Sequence, residues 1–78
     1  MINTRDNEYL IEFGKHLKKL RMESGMSQEE LANNAEVSLP QITRIERGTI
    51  NPTICTIKAL AIGLGVSTYV MYDFEKVI

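Results

Sequence analysis

A single cysteine, Cys55, in 78 residues excludes an internal disulfide and any cysteine-based metal site. Its apolar neighbours Ile54 and Ile57 predict a small buried hydrophobe rather than a reactive thiol. No apolar run approaches the roughly 20 residues of a membrane span. The opening MINTRDNEYL is too polar for a secretory signal, so a cytoplasmic location without membrane contact is expected. The lone histidine, His16, has no Ser, Cys or carboxylate partner at a recognisable catalytic or metal-ligating spacing. Glu29 and Glu30 are sequence neighbours and point to different helix faces, so they form no acid/base pair. Gly63-x-Gly65 is no phosphate-binding fingerprint. No enzyme activity, cofactor, metal or small-molecule ligand is expected.

Charge of one sign is also missing. The formal net charge is −1, which taken alone argues against a nucleic-acid partner. The distribution is less even: seven Lys/Arg and five acids lie between Gly14 and Lys58, and the ends are acidic. The middle therefore permits phosphate binding on one face. The apolar (44%) and charged (24%) fractions are those of a globular protein. A chain this short accommodates one domain, residues 1–78, and has little interior unless it packs well or pairs with a copy of itself. With so little length, no ligand-sensing domain is expected.

What is present is helical punctuation. Leu10, Phe13, Leu17 and Leu20 form one stripe, predicting a helix from about Asp6 to Glu23 that ends at Ser24-Gly25. Ser27 and Glu30 form a capping box for a second, short helix with a small-residue face of Ala32 and Ala35. Glu36-Val37 is the turn. Ser38 caps a third helix, Pro40 is tolerated in its first turn, Ile42 and Ile45 face inward, and Gly48 stops it. After the loop 49–52, Thr53 caps a fourth helix with Ile54, Ile57, Leu60, Ala61 and Leu64 as its inward stripe. Gly65 ends it, and Ser67 caps a short fifth helix containing Val70 and Met71. Residues 69–78 could alternatively form a strand.

Helices two and three, over residues 27–48, are short, capped and tightly joined, which forces a large crossing angle: a helix-turn-helix. The isoleucine side of helix three is pinned. Its other side projects Leu39, Pro40, Thr43, Arg44 and Arg47, and a protruding helix of that diameter fits the DNA major groove.

The segment GMSQEELANNAEVSLPQITRIERGTINPT, residues 25–53, resembles the Cro/C1-type (XRE-like) helix-turn-helix family of phage repressors, restriction–modification controllers and antitoxins. The likeness extends over roughly residues 8–72. It implies an all-α, lambda-repressor-like bundle of five helices that binds double-stranded DNA as a homodimer. It implies base contacts for Leu39, Pro40, Thr43 and Arg44. It implies phosphate contacts for Gln28, Ser38, Gln41, Arg47 and Thr49, and a structural salt bridge between Arg21 and Glu46. The family often has glycine in the turn. This chain has Glu36: either the turn absorbs the roughly 1–2 kcal/mol that a left-handed non-glycine residue costs, or it is built slightly differently.

Three of the five aromatic residues fall in the last ten positions. Residues 67–78 are expected to be a dimerisation segment, with Tyr69, Met71, Tyr72, Phe74 and Val77 at the interface. The alternative is that they fold back as core. The functional expectation is a regulator acting on a near-palindromic operator, as an autoregulatory repressor or a restriction–modification controller. The competing reading is an antitoxin-type or protein-interaction module whose apolar tail binds another protein.

Overall fold

The computed structural model describes residues 5–75. Five helices follow in order: α1 Asn7–Glu23, α2 Gln28–Ala35, α3 Leu39–Arg47, α4 Ile54–Leu64 and α5 Thr68–Met71. Among the described residues there is no strand, and 69–75 are a helical turn followed by irregular chain.

Each boundary has a local chemical cause. Asp6, Ser27, Ser38 and Thr53 each accept the backbone N–H three residues on, satisfying a donor that the first helical turn leaves unpaired. At Ser27 the box is reciprocal: the Glu30 carboxylate accepts the Ser27 N–H at 2.9 Å. Helix α2 ends on Glu36 in the left-handed region, φ 57° and ψ 39°. Of the two builds left open for the turn, the one found keeps the left-handed residue and absorbs the strain.

The core lies between α1, α2, α3 and α4, and Leu17, Leu31, Ile42, Ile45 and Leu60 are essentially sealed from solvent. Two glycines set how closely the helices approach. A Cβ on Gly14 of α1 would meet the Ile45 carbonyl oxygen and lie 2.6 Å from the Glu46 carbonyl oxygen of α3. A Cβ on Gly63 of α4 would lie 2.9 Å from Ala35 of α2. Main chain therefore rests against main chain where α1 crosses α3, and nearly so where α4 crosses α2. Burial of that density is what a chain this small needs.

Three expectations need correction. Ile54 is 81% exposed, not inward. It is the first residue of α4, and the packed part of that helix begins one turn later, at Ile57. Cys55 is exposed too. It lies two positions before Ile57, about 200° around the helix, so an apolar neighbour in sequence is not a neighbour in packing. Met71, expected at a dimer interface, is fully buried, because the single turn of α5 lies across α4 and α1 and drives this side chain into the core.

The rest of the tail divides. Phe74 is half-buried, with its ring centroid 5.2 Å from Tyr9, 5.9 Å from Phe13 and 5.4 Å from His16. Tyr69 (72% exposed) and Tyr72 (37%) face solvent. Val77 lies outside the described residues. His16 pins the region: its Nε2 is 2.7 Å from the Val70 carbonyl oxygen and donates to it.

Candidate nucleic-acid interface

Helix α3 is held on one side and open on the other. Ile42 and Ile45 anchor it. Leu39, Pro40, Arg44 and Arg47 are exposed, and Gln41 and Thr43 are half-buried at the flanks. At about 100° per residue, Pro40 and Arg47 sit at the centre of the outward face. Thr43 lies to the α2 side and Arg44 to the opposite side. Pro40 falls in the first turn, where its missing N–H breaks no helical bond.

A polar network fixes α3 against α1 and α2. Arg21 grips Glu46 with two bonds, Nε to Oε2 at 2.6 Å and Nη2 to Oε1 at 3.1 Å. Its Nη1 donates to the Met26 carbonyl at 2.8 Å. The Glu46 hydrogen bond raises the Arg21 pKa above its already high ordinary value, against the opposing effect of burial. Both side chains are nearly inaccessible, so either one alone would be a buried, uncompensated charge. Gln28, the first residue of α2, donates Nε2–H to Glu46 Oε1 at 3.0 Å. It accepts the Thr43 hydroxyl on its Oε1 at 3.2 Å. The chain Arg21–Glu46–Gln28–Thr43 thus ties α1, α2 and α3 together. The resemblance implied Arg21 and Glu46 as a pair. Their extension to Gln28 and Thr43 was not legible in the sequence, because it depends on the crossing of α2 and α3.

The remaining polar groups have distinct capacities. Ser38 lends its oxygen to the Gln41 N–H at 3.3 Å, which uses a lone pair and leaves the hydroxyl proton available. Thr49 donates its hydroxyl to the Arg44 carbonyl at 3.1 Å, closing the C-terminus of α3. That proton is therefore engaged inside the protein rather than pointing outward. Gln28 has a second amide hydrogen beyond the one given to Glu46. It sits beside the N-terminus of α2, where backbone N–H groups and the helix dipole favour an anion.

Away from α3, an open groove of about 510 Å3 is lined by Asp6, Glu8, Tyr9, Glu12, Phe74 and Glu75. Its carboxylates repel phosphate and set it apart from the α3 face. Partial burial and the nearby Glu75 carboxylate push the Tyr9 hydroxyl above its usual pKa. Among the described residues no three His, Cys, Asp or Glu side chains are grouped to hold a metal ion. No helix among them is long and apolar enough to cross a membrane.

Residues 17–70 match the helix-turn-helix family HTH_3. The control protein C.BamHI of Bacillus amyloliquefaciens is 33% identical over 72 residues, covering 91% of this chain and 89% of that protein. The transcriptional regulator DdrOP3 of Deinococcus deserti is 33% identical over 55 residues, 70% of this chain, and the match spans only 43% of that longer protein. Among solved structures, the restriction–modification controller C.AhdI of Aeromonas hydrophila superposes with a TM-score of 0.79 at 32% identity, over 81% of this chain and 96% of that one. An exposed, internally braced third helix and these relatives converge: the chain belongs to the HTH_3 helix-turn-helix family of DNA-binding transcriptional regulators, which are not enzymes.

Proposed function

We propose that the chain is a homodimeric, sequence-specific regulator that binds a near-palindromic double-stranded operator, as an autoregulatory repressor or a restriction–modification controller. The observation that carries this reading is the outward face of α3, which presents Leu39, Pro40, Thr43, Arg44 and Arg47 on a helix fixed from behind by Ile42, Ile45 and the Glu46 network. Arg44 is the strongest base reader, since a guanidinium can take guanine O6 and N7 together. Leu39 and Pro40 supply apolar contact, as to thymine methyl groups. Phosphate contacts fall to Gln28, Ser38, Gln41 and Arg47. Thr49 joins them only through its lone pairs, because its proton is given to Arg44.

The second copy is proposed to dock on the α4–α5 side. Ile54 and Ile62 of α4 and Tyr69 of α5 are exposed there, with Tyr72 partly so just after α5, and a paired copy would cover them. A two-fold pair places two α3 helices about 34 Å apart, one turn of DNA, and calls for inverted half-sites. Light scattering on the purified chain tests the dimer. A monomer at tens of micromolar would reassign the patch to a different protein, as in an antitoxin. Titration against random duplex DNA at about 50 mM salt tests the nucleic-acid reading, and complete absence of binding refutes it. On a selected operator, Arg44→Ala is expected to weaken binding by about 1–3 kcal/mol and relax preference at one position. An equal loss on every sequence would remove its base-reading role.

A further inference from the structure

The polar network behind α3 ends on a residue of its outward face. The Thr43 hydroxyl oxygen lies 3.2 Å from the Leu39 carbonyl oxygen and 3.2 Å from Gln28 Oε1. Both neighbours are carbonyl oxygens, which accept and never donate. The Gln28 amide is not free to turn round. Its Nε2 faces Glu46 Oε1, and a carboxylate already gripped by Arg21 offers only lone pairs to that side. Thr43 therefore has one proton and two acceptors on its inner side. Swinging the proton outward would leave its oxygen facing two other oxygens with no hydrogen between them.

We propose that Thr43 is a specificity-determining residue that acts toward DNA only as a hydrogen-bond acceptor. This rests on the reading that α3 enters the major groove. Thr43 takes a hydrogen bond from an exocyclic amine, adenine N6 or cytosine N4. It discriminates against edge atoms that themselves accept: guanine O6 and N7, purine N7 generally, and thymine O4. An unconstrained threonine serves either kind of edge. Here Leu39 and Gln28 remove the choice. The neighbouring reader has the opposite polarity, since Arg44 is a donor only. Helix α3 thus offers an acceptor on its α2 flank and donors on the other flank, about 100° away.

The test is a cycle that pairs the hydroxyl with single atoms of the base edge. The full chain selects duplexes from a random double-stranded pool. Each major-groove amine of the selected half-site is then deleted singly, with purine replacing adenine or pyrimidin-2-one replacing cytosine. In parallel, 7-deazapurines delete the N7 acceptors. One amine deletion is expected to weaken wild-type binding about 3- to 10-fold, the size of one net hydrogen bond, and to have no effect on Thr43→Val. Thr43→Ser, which keeps the oxygen, is expected to retain the sensitivity. Thr43→Ala replaces the valine variant if that one melts early. The assignment is overturned if no amine deletion depends on the hydroxyl. It is equally overturned if a 7-deazapurine effect disappears in Thr43→Val, or if Thr43→Ser loses the sensitivity along with Thr43→Val. A pool that yields no enriched sequence refutes the DNA reading itself, a failure distinct from these.

Discussion

Replacing Glu36 by glycine is expected to stabilise the protein. Glu36 is the one non-glycine residue with positive φ among the described residues. It is exposed, and its N–H bonds to the Ala32 and Asn33 carbonyls close α2. The left-handed conformation costs a residue with a Cβ roughly 1–2 kcal/mol, and glycine avoids that cost. Glycine loses more backbone entropy on folding, an opposing effect of roughly 0.5–1 kcal/mol. Removing a carboxylate from the C-terminal end of a helix adds a favourable few tenths of a kcal/mol. The net gain is about 1 kcal/mol, or about 4–8 °C in melting temperature for a domain of this size. Thermal melts followed by circular dichroism measure it. Glu36→Gln isolates the charge and should gain only the few tenths. Glu36→Ala retains the Cβ and should gain no more than Glu36→Gln. If Glu36→Gly were no more stable than Glu36→Gln, backbone strain would not be the cost at this position.

Glu46→Ala leaves Arg21 buried without its partner and is expected to lower stability by about 3–5 kcal/mol in denaturant titrations; a fully stable variant would show that the pair is dispensable. Gly14→Ala forces a methyl group against the Ile45 and Glu46 carbonyls and should cost about 1–3 kcal/mol, visible as an earlier melt, whereas an unchanged melt would show that α1 and α3 separate easily. The capping box holds the Glu30 carboxyl below its ordinary pKa of 4.5, through the Ser27 backbone N–H first and its hydroxyl second. A depressed folded pKa gives stability that is present above the unfolded value and lost as pH falls through the folded one. Stability should therefore decline on acidification below about pH 4.5, less steeply in Glu30→Gln, and parallel acid profiles for the two proteins would count against the box.

Where sequence and structure agree, the signals are local. Ser27, Ser38 and Thr53 start helices because a short side-chain oxygen reaches an N–H three residues on, a relation that needs no tertiary fold. Glu36 stood out only through the resemblance, as a residue with a Cβ where the family often has glycine; that the turn keeps the left-handed conformation is a finding of the structure. Where they part, the missing information is long-range. Helical spacing puts Ile54 on the face of Ile57, but only the packed helices show that burial begins a turn later. The apolar tail could be counted but not apportioned. Met71 and Phe74 turn inward because α1 lies beneath them, while Tyr69 stays out. Gly14 carried no local signal at all. Its role exists only because another helix crosses it. For the candidate site, the outward residues of α3 followed from its period, whereas the inward turn of the Thr43 proton required the placement of Gln28.

The contact of α1 with α3 at Gly14 has an evolutionary corollary. The scaffold grasps its third helix by carbonyl oxygens, two isoleucines and the Glu46 network, so the exposed side chains of residues 40, 44 and 47 carry little of the folding energy. Mutation can change those side chains without refolding the rest. On the proposed reading that α3 faces DNA, the target site can change while the grip beneath stays constant.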